Sequence, residues 1–291
     1  MSGVMIGALM ALSLVQQTDT VIALDGATGL EIENSGGRIY VTTWDRPEIR
    51  IRADHSRRSV LEIRRRRSGV ISVEIESNRG GFGSIVDFDL TVPTSLDLSV
   101  DGWSTDVTIE GSNGEINVET FQGDITIVGG SGSIIAETMS GEIRIDGAEG
   151  VIEASSVAES IHISGSSGEI YVETVGGNIV LEDVSATVVE VGTVGGRISF
   201  SGSIADGGEY FFGSHGGTIT ITVPEGTDAE VSFATIHGSI SSNFSGVPDF
   251  ERGQRNTFTI GSGGAIIEAE TFGGRIVLRR GGSESRQDLV R

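Results

Sequence analysis

The chain has 291 residues, a formal net charge of −21, 44 Gly, only 4 Pro and no Cys. Gly stands at about twice its usual ~7% share, yet hydrophobic residues reach 37% and no every-third-Gly period appears, which excludes both collagen and a disordered low-complexity chain. The missing Cys excludes disulfides, a thiol nucleophile, Cys-based metal sites and a lipid-modified N-terminal Cys. Scarce aromatics (5%) with abundant Ile, Val and Gly point to an all-β chain with many turns.

In chain order, Val4–Val15 is an apolar run followed at once by Gln16, Gln17, Thr18 and Asp19. A run of 12 falls short of the ~20 residues that span a bilayer but suits the apolar core of a secretory signal. Residues 1–17 are therefore expected to be a signal peptide and the mature protein to be exported, although the run is preceded by no Lys or Arg and no Ala-x-Ala site precedes Gln16. A buried first strand or helix is the alternative.

Residues 18–104 read as a β-rich segment merging into the repeat region that begins at 105. RPEIRIRAD (46–54), VLEIRRRR (60–67), VISVEIES (70–77) and IVDFDLTV (85–92) all alternate but share no common period, as expected of a cap. Arg64, Arg65, Arg66 and Arg67 form the one basic cluster. They could contact an anionic partner, or belong to a charged edge strand that blocks unwanted pairing.

From 105 to 280 the chain repeats. Gly recurs at 114, 123, 132, 141, 150, 168 and 177, with Glu159 and Ala186 at the missing steps. Apolar residues occupy the second and fourth positions after each, as in Ile125/Ile127, Ile143/Ile145 and Ile161/Ile163. One inserted residue then shifts the phase to Val189/Val191 and Ile198/Phe200. Alternate units differ, so the period is 18: one turn has the form ETFQG (119–123), ETMSG (137–141) or ETVGG (173–177), the other a plainer form such as DGAEG (146–150). ATIHG (234–238) and ETFGG (270–274) repeat the first turn at longer spacing, and EIENSGGRIYV (31–41) states the same phrase upstream.

A single strand-turn unit cannot bury its own apolar face, whereas stacking units ~4.8 Å apart sets Ile over Ile. The expected fold is a single-stranded parallel β-helix, or β-solenoid, with 18-residue coils, its handedness open. About ten coils would make a rod of roughly 45–50 Å. Gly at the corners is expected to supply positive φ. Phe121, Met139, Val157, Val175 and Val194, which share one phase inside the first turn, are expected to point inward and plug the corner. A sandwich of hairpins is the competing all-β reading. The tail 281–291 reads as disordered.

These repeats resemble the bacterial putative adhesin family, Gly-rich repeat domains of unknown function. The resemblance rests on GLEIENSGGRIYVTTWDRPEIRIRA (29–53) and on the ETxxGxIxI units from 119 to 278. It implies an exported solenoid with a surface or envelope role, and supplies no catalytic residues.

The chemistry found in the residues is sparse. No GxSxG, GxGxxG, P-loop or HExxH occurs, and His55, His162, His215 and His237 lack metal-ligand spacing. His215 and His237 occupy equivalent turns and read as a stacked pair on one edge or as plain turn residues. The Gly-Gly-x-Gly-x-Asp order of a calcium roll never appears, leaving at most weak cation binding on the acidic face. Residues 80–250 carry a balance of −24, and residues 38–79 one of +5. Such a field disfavours nucleic acid and anionic lipid. No catalytic, cofactor or metal site is expected and no membrane span. The expected role is a non-enzymatic, adhesin-like binding or scaffolding protein whose partner is an unidentified envelope, matrix or protein component, with self-association possible. A filament-forming solenoid is the alternative, and a polysaccharide-active β-helix enzyme a further one.

Overall fold

The computed structural model describes residues 15–56, 59–77, 85–244, 250 and 253–281. The expected signal therefore falls outside the described residues except for Val15–Gln17, which open the strand Val15–Ala23; of the expected tail only Gly281 is described. The described residues form an all-β chain of 23 strands joined in one sheet, with no helix.

Alternation sends every second residue to one side, and the pairing decides what it meets. Ile116 pairs with Ile134, Ile134 with Ile152 and Ile152 with Ile170; in a second ladder Ile125 pairs with Ile143, Ile143 with Ile161 and Ile161 with Ile179. Every step is 18 residues and parallel. From Asp97 to Pro224 no antiparallel pair occurs among the described residues, so the hairpin sandwich does not describe this region. The side chains on the shared side are buried: Ile125, Ile143, Ile161 and Ile179 are each 0% exposed.

The inserted residue is Thr187. The register slips between Gly168 and Glu169, so that Ile170 meets Val189 nineteen residues on. The next step is longer still, Val189 meeting Tyr210. The wider rung is filled by rings: Phe200 lies 5.9 Å from Tyr210 and 5.3 Å from Phe212. The buried Tyr210 hydroxyl donates to the Ala186 carbonyl (2.6 Å) and accepts from the Ala205 N–H (2.8 Å). Burial pushes its pKa above the usual tyrosine value.

Glycine at the corners has two reasons, of which the sequence suggested one. Gly150 and Gly168 do take positive φ (122° and 115°). Gly217 does not; there a Cβ would collide with the carbonyl oxygen of Gly196 on the preceding rung, so close approach excludes a side chain.

Spatial order departs from chain order at both ends. Strands Gly29–Asn34 and Gly37–Trp44 lie between Asp97–Glu110 on one side and Val70–Ser77 and Asp87–Pro93 on the other. Antiparallel strands then cover the outer edge: Ser59–Arg65 on Val70–Ser77, Glu48–Ser56 on Asp87–Pro93, and Val15–Ala23 on Glu48–Ser56. At the other end Ala265–Thr271 and Arg275–Gly281 slot between Ile198–Ser214 with Ile219–Pro224 and Ala229–Thr235 with Ser239–Ser242. Arg255–Ile260 covers Ala229–Thr235 antiparallel. This exchange accounts for the longer spacing of ATIHG and ETFGG.

Candidate functional site

The site grows from the Thr-x-x-Gly turn. Counting in twos from Ile116 through Val118 reaches Thr120, and it is Thr120, not Phe121, that turns inward. The same holds for Thr138, Ser156, Thr174, Thr193, Ser214, Thr271 and Thr235, all buried. Each hydroxyl can serve its own turn and the neighbouring rung together. Thr193 Oγ1 accepts from the Gly196 N–H (3.1 Å) and donates to the Gly177 carbonyl (3.3 Å). Thr174 does the same with the Gly177 N–H (3.2 Å) and the Glu159 carbonyl (3.3 Å). Burying a hydroxyl is tolerable when both roles are met.

The next residue is thereby forced outward, which corrects the expectation that these apolar side chains plug the corner. Phe121, Met139, Val157, Val175 and Val194 are all exposed, Val194 by 52%. The pairing extends their row to Trp103 at one end and to His215, Phe272 and Ile236 at the other. From Trp103 to Ile236 it crosses eight strand pairings, about 38 Å at ~4.8 Å each. Rings gather at its two ends. Trp103 stacks on Phe121 (4.4 Å, 6°), and Phe272 packs against His215 (5.0 Å, 2°) and His237 (4.9 Å). The two histidines therefore meet through an intervening phenylalanine ring, and neither belongs to a metal-capable cluster among the described residues.

Two residues before the row, Asp101, Glu119, Glu137 and Glu173 place carboxylates along one flank, resumed by Glu270. Ser155, Gly192 and Gly213, in the same phase, carry none. Gly213 is overlain by the Phe211 ring, which a Cβ there would meet at 3.3 Å. The result is an open hollow of about 760 Å³ floored by Val157, Val175, Val194, His215, Phe272 and Ile236. Phe211 and Arg255 stand at its side, the latter donating to the Ser232 hydroxyl (2.9 Å) and pairing with Glu268 and Glu270. A smaller hollow of about 320 Å³ continues past Met139 and Phe121 to Trp103. The residues that follow the row from Val157 to Phe272 are small and uncharged: Ala158, Gly176, Gly195, Gly216 and Gly273.

Other carboxylates serve the fold. Asp97, Asp106 and Asp124 accept from the backbone N–H of Glu115, Asp124 and Glu142, each one rung on (3.0, 3.0 and 2.8 Å). In the pairing scheme the basic cluster stands three pairings beyond the strand of Trp103, through Gly29–Asn34 and Val70–Ser77. Arg64 pairs with Glu74 (3.2 Å) and Glu62, Arg66 with Glu31 (2.6 Å) and Glu74 (3.5 Å), and Arg65 lies 3.7 Å from Asp25 while donating to the carbonyls of Ala23 and Leu24; Arg67 is exposed. No helix among the described residues is long and apolar enough to cross a membrane.

No family model matches the chain, and no curated protein matches it. Among solved structures it is similar to a putative cell adhesion protein from Clostridium sporogenes (10% identity, TM-score 0.24, 92% of this chain and 100% of that one). It is also similar to a putative lipid binding protein from Parabacteroides distasonis (12%, 0.37, 91% and 97%) and to a putative adhesin from Parabacteroides merdae (11%, 0.34, 90% and 96%). Likeness at this level carries no argument about ligand or mechanism, so the functional reading rests on the groove.

Proposed function

We propose that the chain winds as a parallel β-solenoid and works outside the cytoplasm as a non-enzymatic, adhesin-like binding module. The 18-residue parallel register supports the winding, and the apolar run before Gln16 supports export. The observation that carries the binding role is the unbroken exposed row from Trp103 to Ile236. A soluble protein rarely leaves so long an apolar patch bare unless something covers it in use. Its repetition at fixed pitch lets many weak contacts add into one attachment. Antiparallel strands over the outer edge at one end and over Ala229–Thr235 at the other favour this role over filament growth by end-to-end stacking, because those edges offer a partner different from the parallel one inside.

The test is retention of the purified protein on isolated cell-envelope and matrix fractions, with a variant carrying serine at Val157, Val175 and Val194. Those residues are exposed, so the variant should fold. Loss of retention is the expected result; equal retention overturns the groove as the binding surface. Fractionation with N-terminal sequencing tests export, and an uncleaved cytosolic product overturns that part.

A further inference from the structure

We infer that the groove takes a basic amphipathic helix of a protein partner, its apolar ridge on the valine row and its Lys or Arg edge on the carboxylate flank. This rests on the groove being the binding surface and names its occupant.

Charge selects the sign. Glu119, Glu137 and Glu173 line one side of an apolar floor within a stretch whose balance is −24. An anionic lipid surface or the acidic face of a second copy would bring like charge against that flank, and in a second copy's basic segment Arg64, Arg65 and Arg66 already face carboxylates of their own chain. A cationic edge is attracted, and the small residues that follow the row, Gly176, Gly195 and Gly216 among them, demand no charge from the partner.

Shape selects the helix. The floor repeats every ~4.8 Å, whereas an extended strand repeats its same-face residues every ~6.8 Å. A helix advances ~5.4 Å per turn and presents a ridge of side chains along its axis, much nearer the groove's pitch. A length of about 38 Å accommodates about 25 helical residues. A glycan fits less well, because the middle of the floor is valine and offers no ring face on which a sugar could stack. The hollow at Gly192 and Gly213, where the carboxylates lapse and Phe211 forms a wall, suits one bulky apolar anchor from the partner.

The probe is a synthetic amphipathic helix of about 25 residues built from Leu and Lys. It is titrated calorimetrically into the full chain beside a scrambled peptide of the same composition, a Leu–Glu counterpart and phosphatidylcholine vesicles. The patterned Leu–Lys peptide should bind at least about tenfold tighter than the scrambled one. Its affinity should fall severalfold as salt rises from about 0.05 to about 0.2 M. A Val175→Ser/Val194→Ser variant should lose about tenfold, and Glu137→Gln/Glu173→Gln severalfold with a flatter salt dependence. Equal binding of the scrambled or the Leu–Glu peptide overturns the inference. Vesicle binding that the serine pair abolishes, with no peptide binding, overturns the helix while leaving the groove as the binding surface. If the serine pair alters no interaction of the protein, the groove reading falls as well.

Discussion

Replacing Thr193 by valine removes one hydroxyl and keeps the shape. Two hydrogen bonds go: the one accepted from Gly196 at 3.1 Å and the one donated to the Gly177 carbonyl at 3.3 Å. A net hydrogen bond contributes about 1 kcal/mol, and a buried N–H left unpaired adds to the loss. The position is only 6% exposed, so water cannot readily replace the hydroxyl. The added methyl recovers part of this, leaving a net cost of about 2 kcal/mol, or a melting point lower by about 3 °C for a chain of this length. Thr193→Ser should retain most of the stability. The neighbouring Val194→Ser should change it by less than about 0.5 kcal/mol, because that side chain already faces solvent. Circular dichroism melts compare the three variants, and hydrogen exchange at the Gly196 amide reports locally, rising in the valine variant. If Val194→Ser destabilises and Thr193→Val does not, the in–out assignment of the turn is reversed and the groove disappears with it.

Ile143→Asp places a carboxylate in a column where nothing can pair with it; Ile143 is 0% exposed and stacked between Ile125 and Ile161. A loss of at least about 4 kcal/mol is expected, read as failure to melt cooperatively. Tyr210→Phe should cost about 1–3 kcal/mol at neutral pH through the stranded Ala186 carbonyl and Ala205 N–H. Because burial raises the folded pKa of Tyr210 above its unfolded value near 10, its contribution is complete below that pH and is lost as pH rises through the folded value. The wild type should therefore lose stability above about pH 10 more steeply than the phenylalanine variant, in melts run across the alkaline range.

Much of this was legible in the residues. Ile over Ile at 18-residue steps comes from the joint phase of Gly and Ile between 114 and 181, and the structure places those residues in parallel register. The all-β class comes from the same alternation. At the corner, hydrophobicity and parity point opposite ways, and parity wins: Phe121 is apolar, yet Ile116, Val118 and Thr120 fix the inward set. Thr is acceptable inside only because the preceding rung offers a carbonyl, which no local pattern announces. The exchanged order of the C-terminal strands was invisible for a similar reason. ATIHG and ETFGG carry the same turn, and nothing in either says which lies nearer Ser214. The role of Asp97, Asp106 and Asp124 as acceptors for the next rung was hidden among so many outward carboxylates.

The slotting of Ala265–Thr271 and Arg275–Gly281 between earlier strands bears on how this chain comes apart. In a simple stack, the last-made layer is the outermost and peels first. Here the layer nearest the C-terminus is sandwiched, so unravelling from that side must either dislodge Ala229–Ser242 or draw an interior layer out sideways. Synthesis meets the mirror of that constraint: Ala229–Thr235 waits for its inner neighbour until some thirty later residues have emerged, and the last of the described strands enters like a keystone set after the stones on either side of it.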